Sequence, residues 1–288
     1  VAHEQGEAVR LVSDQPGADD LQWEVTPEGV GWMTLNRPQA GNAITADQRE
    51  RMIGLLGAAS GDARIRAVVL TGAGERHFCT GADLGSPSGS PSTLPEGEPE
   101  RPAGSVARAV AGGAQRLIAA VLDCEKPVIA AVNGTAAGIG CHLAYACDLV
   151  LAADSAKFIE VFVRRGLVVD GGGAYLLARL IGPQRAKELV FFGDDLPAAE
   201  AHRMGLVNRV VPDGDLPAIA MEWAALLAAG PTVALGLGKR LINRSLDGDR
   251  SASLAEEAMA AEINMTSADG QEGVRAFIER RKPVFHGW

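Results

Sequence analysis

From Pro127 to Cys147 the chain carries no Lys, Arg, Asp or Glu, over a stretch about as long as a bilayer span. Such a segment has to be buried, either in lipid or in a protein core. Its content decides between them. Asn133-Gly134 is a turn signal, Gly138 and Gly140 follow closely, and Pro127 and His142 sit inside, so it reads as strand, turn and short helix. Similar apolar runs recur along the chain, with helical patterns between them. They predict strands over 30–35, 67–71, 77–79, 128–132, 148–152, 158–163 and 207–211, and helices over 45–59, 106–122 and 173–181. Beyond Pro212 nearly everything is helical, with segments at 216–229, 232–246, 253–266 and 271–281.

This order, strands with crossovers first and helices last, is an α/β class with a helical end. The expected organisation is a flexible acidic tail over 1–20, a core over 21–213 and a C-terminal helical region over 214–288. Within the core, 85–105 is rich in Pro, Gly and Ser and reads as a flexible surface loop. Residues 1–24 hold six acids against Arg10 alone and no apolar stretch of signal-peptide length, so no export address is visible and a cytoplasmic protein is expected. The net charge, 27 − 36 = −9, disfavours nucleic acid as a partner. Cys79, Cys124, Cys141 and Cys147 form no CxxC pair and read as reduced thiols.

Several chemistries have nothing to stand on. His3, His77, His142, His202 and His286 show no metal-ligand spacing, and there is no GxSxG elbow, no phosphate-binding GxxxxGK[ST] loop, and no GxGxxG after the first strand. Two glycine-containing corners remain, Cys79-Thr80-Gly81-Ala82-Asp83 and Asn133-Gly134 through Gly138-Ile139-Gly140. Each follows a strand and precedes a helical pattern, a geometry that exposes unpaired N–H groups. The pair either grips an oxyanion or is two ordinary turns.

Four segments together resemble the crotonase (enoyl-CoA hydratase/isomerase) superfamily. They are Leu35-Asn36-Arg37-Pro38 with Asn42-Ala43, Phe78 through Leu84, Lys126 through Gly134, and 201–207 with Val211-Pro212. The resemblance covers roughly 22–285. It implies a crotonase spiral of ββα units with a C-terminal trimerisation region, a homotrimer or dimer of trimers, and an acyl-CoA ligand that is substrate, with no further cofactor and no membrane partner. It places the thioester oxygen on the N–H groups of Ala82 and Ile139. It also lays the ligand along Arg37, Ala40, Thr80, Asp83 and Leu84, with Phe277 and Lys282 reaching a neighbouring subunit's CoA. On the residues alone, Arg37, Ala40, Phe277 and Lys282 equally suit plain surface, and Asp83 suits a helix cap.

The family's hydratases hold the attacking water between two glutamates. Here His142 stands at the first of those positions and Phe162 at the second. His142 is either a hydrogen-bonded lining residue or an acid/base. Glu160, two residues before Phe162 on the expected strand, shares its face one pleat repeat away and is expected at the surface or sheet edge. The remaining acid/base candidate is Asp170, in Gly166-Leu167-Val168-Val169-Asp170-Gly171-Gly172-Gly173. By itself it reads as an N-cap. Isomerase branches of the superfamily, of the dienoyl-CoA and epoxyphenylacetyl-CoA type, carry an acid/base Asp at that position, which implies double-bond isomerisation here. Hydration is the alternative. Aromatic displacement, which places an activating histidine near Gln115, and noncatalytic acyl-CoA binding are the others.

Overall fold

The computed structural model describes residues 9–10, 20–85 and 103–288. The chain enters through β1 (Val9–Arg10), which lies antiparallel on β2 (Leu21–Val25), itself antiparallel to β3 (Val30–Leu35). The expected loose tail therefore supplies a short strand, since Val9 and Arg10 pair with the otherwise open edge of β2. The rest of 1–19, and most of the expected loop over 85–105, lie outside the described residues.

Helix α1 (Ala46–Gly61) begins with a reciprocal cap. The Gln48 N–H donates to the Thr45 hydroxyl oxygen and the Thr45 N–H to the Gln48 side chain. Then come β4 (Ala67–Gly72), β5 (His77–Cys79), α2 (Ser105–Gly112), α3 (Ala114–Leu122), β6 (Val128–Val132), β7 (Thr135–Ala137), α4 (Ile139–Ala146), β8 (Leu149–Ala153) and β9 (Lys157–Ile159). The helix expected over 106–122 is two helices, because Gly112-Gly113 is a weak point for helix and Gly113 leaves helical geometry.

The chain continues through α5 (Gly173–Ile181), α6 (Pro183–Phe192), β10 (Asp195–Pro197), α7 (Ala198–Met204) and β11 (Arg209–Val211). From β4 to β9 successive strands alternate between two sheets. A seven-stranded sheet has the order β1-β2-β3-β4-β6-β8-β11, parallel from β3 onward, and a four-stranded sheet has the order β10-β9-β7-β5, parallel from β9 to β5. Each turn of the chain adds one strand to each sheet, which is the spiral of ββα units. Every residue of β6 is buried, as a central parallel strand covered on both faces must be. Beyond it the charge-free run continues through β7 into α4, whose residues are all buried.

Strand β9 is shorter than the expected 158–163. The Val161 N–H donates back to the Ile159 carbonyl, so the chain reverses before Phe162 and winds into a short 3-10 turn, Val163–Arg165. The helical end is α8 (Leu216–Ala228), α9 (Thr232–Ser245), α10 (Arg250–Thr266) and α11 (Ala268–Ile278). Helix α8 packs on β3, β4, β6 and β8, whereas α9 to α11 leave Ile242, Met259, Ile263 and Phe277 exposed. Among the described residues no single helix is long and apolar enough to cross a membrane.

Candidate active site

Three parallel strands of the small sheet end side by side. Cys79 pairs with Ala136, and Ala137 with Ile159, so the segments leaving β5, β7 and β9 emerge at one edge, the carboxyl end where parallel sheets bind ligands. Those segments are Thr80-Gly81-Ala82, Gly138-Ile139 and Glu160-Val161-Phe162. Helix α4 closes onto the end of β5 because of Gly140: a Cβ there would stand 2.1 Å from the Cys79 carbonyl oxygen, an approach only glycine permits. The neighbouring residue Ile139 is thereby held beside the first corner.

The two expected oxyanion donors have free amides. At Ala82 the chain forms a parallel bridge with Ile44: the Ile44 N–H donates to the Gly81 carbonyl and the Asp83 N–H to the Ile44 carbonyl, so the N–H of Ala82 itself points the other way. Ile139 is the first residue of α4, where an N–H has no partner within the helix and the helix dipole is positive. Neither amide is spent on a hydrogen bond among the described residues. Both residues line one cavity of about 210 Å³, together with Thr80, Leu84, Phe162 and Asp170.

Asp170 does not cap α5. The capping position is Gly172, without a side-chain bond, and only the backbone carbonyl of Asp170 takes part, accepting from the Gly173 N–H. Its half-buried carboxyl faces the cavity and accepts no hydrogen bond among the described residues. Burial pushes its pKa above the ordinary aspartate value, with His142 pulling in the opposite direction.

Glu160 is not at the surface. With β9 ending at Ile159, its side chain turns inward rather than following the pleat, and its Oε2 lies 3.0 Å from the Nε2 of His142, both residues buried. The His142 ring stacks on Phe162, with centroids 5.4 Å apart. His142 is therefore hydrogen-bonded as expected, but it stands behind the cavity wall and does not line it.

The first corner is tied internally. The Arg37 guanidinium donates to Asp83 at 2.8 Å and to the Ala43 carbonyl at 2.9 Å, and Asp83 also accepts from the Gly85 N–H. Ala40 lies in the short turn Pro38–Ala40 beside it, and neither Arg37 nor Ala40 lines the cavity. Phe277 and Lys282 are exposed at the C-terminal end, away from the cavity wall. Gln115 is exposed, while its helix neighbours Ala114 and Leu117 line the cavity. Ile44, Thr45, Arg49 and Arg165 also line it without having been singled out. The helical spacing of Leu117 within α3 was a usable signal; the arginines offered none. All four cysteines are free and buried, and burial pushes the Cys79 thiol up to about 12.

Comparison with known proteins shows the family. The family model for enoyl-CoA hydratase/isomerase matches residues 25–287. A probable enoyl-CoA hydratase of Rhodobacter capsulatus is 40% identical over 267 residues, 93% of this chain and 98% of that protein. The 1,2-epoxyphenylacetyl-CoA isomerase of Escherichia coli is 38% identical over 260 residues, 90% of this chain and 96% of that one. The crystal structure of an enoyl-CoA hydratase from Bacillus anthracis superposes with a TM-score of 0.83 at 33% identity, covering 93% of this chain and all of the other. The chain therefore belongs to the crotonase-fold enoyl-CoA hydratase/isomerase family and is an acyl-CoA-processing enzyme.

Proposed function

We propose that the protein moves the double bond of an enoyl-CoA thioester by a single-base proton transfer. The observation that carries this reading is the convergence on one cavity of two amides, on Ala82 and Ile139, and one carboxyl, on Asp170, that have no hydrogen-bond partner among the described residues. The thioester oxygen sits between the two N–H groups. Asp170, as carboxylate, takes a proton from the carbon next to the thioester. The electron pair left behind spreads into a dienolate whose charge falls on the oxygen. The donors are aimed at that charge, which exists in full only near the transition state, and one donor of this kind is worth about 3–4 kcal/mol. Asp170 then returns the proton two carbons further along, and the double bond has moved. The apolar walls favour a base that is easily protonated, since they disfavour its charged form.

Hydration is the second reading, favoured by the hydratase names among the relatives. Against it stands the pairing of His142 with Glu160 behind the wall, which leaves Asp170 alone to hold a water. Side-by-side assays separate the two readings. Conversion of 3-enoyl-CoA to 2-enoyl-CoA is expected to outrun water addition to crotonyl-CoA, with Asp170→Asn lowering the isomerisation about a hundredfold or more. Faster water addition would reverse the assignment. The ligand is an acyl-CoA in both cases, and assembly into trimers through the exposed faces of α9 to α11 is part of the same proposal.

A further inference from the structure

The largest unexplained feature of the molecule is a group of buried polar atoms behind the cavity wall. His142 and Glu160 bond to each other through Nε2 and Oε2, yet the other ring nitrogen, Nδ1, and the other carboxylate oxygen, Oε1, are buried without partners among the described residues. Buried polar atoms that stay unsatisfied are uncommon and costly, so a pair of them on two interacting side chains calls for a reason.

The position of the ring supplies one. Its nitrogen-bearing edge meets the turn that carries Asp170: a Cβ added to Gly173 would fall 2.2 Å from Nε2, and one added to Gly171 3.5 Å from Nδ1. The imidazole thus excludes a side chain at Gly173, whereas at Gly171 the closest neighbour is the Ile139 side chain. One face of the ring is stacked on Phe162, itself a wall of the cavity.

We propose that His142 and Glu160 act together as a positioning dyad for Asp170: Glu160 accepts the Nε2 proton and fixes the ring, which braces the 170–173 turn and presents its second nitrogen toward the Asp170 carboxyl. This inference rests on the reading of Asp170 as the acid/base. The dyad touches no substrate. It acts by setting where the Asp170 carboxyl stands and how readily it gives up its proton, because a ring held at that turn by Glu160 favours the carboxylate. That is the direction in which His142 moves Asp170, against the effect of burial.

The other groups in reach are few. Helix α4 brings Cys141 and Tyr145 near Glu160, and burial raises both so far that they keep their protons. Helix α3 presents Ala114 and Ile118 to the turn, and Arg49 and Arg165 line the cavity that Asp170 faces.

The test is the pH profile of proton exchange from an enoyl-CoA thioester in deuterated water, run on the full chain and on His142→Gln, Glu160→Gln, the double variant and Asp170→Asn. Exchange falls at low pH as Asp170 becomes protonated. Removing either member of the dyad is expected to move that fall to higher pH and to lower kcat about tenfold with KM within about twofold, and the double variant should go no further than the stronger single one. Nitrogen-15 shifts of His142 in the unaltered protein give a measurement that no folding defect can obscure, and Nε2 is expected to carry a proton. An acid limb left in place by both single variants, or an Nε2 without a proton, overturns the dyad while Asp170→Asn remains inactive. Persistence of exchange in Asp170→Asn would instead overturn the reading beneath it.

Discussion

A carboxyl group set among apolar side chains leaves a signature on folding as well as on catalysis. Burial raises Asp170, so the folded protein holds its proton more tightly than the unfolded chain does. The contribution of that group to stability is full below the ordinary aspartate range and is lost as pH rises through the raised value. Asp170→Asn removes the charged form altogether. In urea unfolding the variant is therefore expected to be more stable than the parent near neutral pH, by up to about 1 kcal/mol given its partial exposure, with the difference vanishing in acid. A variant less stable at neutral pH would show that the carboxylate is held by partners in the folded state. The two glycine corners were legible in the sequence as turns between strand and helix, whereas the roles expected of Ala82, Ile139 and Asp170 came from the family resemblance, Asp170 by itself reading as a helix cap. The partner of His142 was not. Whether Glu160 points out or in depends on where β9 stops, and Phe158 through Val163 reads as one unbroken strand. The backbone bond from Val161 to Ile159 that ends it has no counterpart in side-chain pattern.

At the scale of elements, the site depends on how closely α4 meets β5. The first turn of α4 carries Ile139, and its seat is the Cys79 carbonyl at the end of β5. Gly140→Ala puts a methyl group into backbone that cannot yield as a flexible side chain would. We expect a loss of about 1–3 kcal/mol in stability. A larger effect on turnover is expected, since a 1 Å shift in a positioned group can cost about a hundredfold. Denaturation and steady-state rates on the same preparation check both, and an active, fully stable variant would mean the two corners are not held by this contact. The strands themselves were readable wherever an apolar run was bounded by turn residues: β3, β5 and β6 fall where the pattern puts them. Helices α6 and α7 with β10 were not read, being short and only partly buried, and the α2–α3 break hides in a sequence whose apolar spacing runs straight through it.

For the whole molecule, the alternation of strands between two sheets explains why chemistry spread from Thr45 to Asp170 meets in one cavity. The helical end plays no part in lining it, yet exposes Ile242, Met259, Ile263 and Phe277. These exposed side chains are the ones on which the proposed trimer rests. Light scattering on the eluting protein is expected to give three chains per particle or a multiple, and Met259→Lys with Ile263→Lys to give smaller species; a monodisperse monomer would contradict the trimer.

The most direct test of the account is whether the protein forms an enolate with Asp170 as its base. Mass spectrometry of a 3-enoyl-CoA incubated in deuterated water reads this before any product is assumed. Rapid uptake of deuterium at the carbon beside the thioester is expected with the parent protein, and at least about a hundredfold less with Asp170→Asn. Uptake at equal rates by both proteins, or none by the parent, would contradict it.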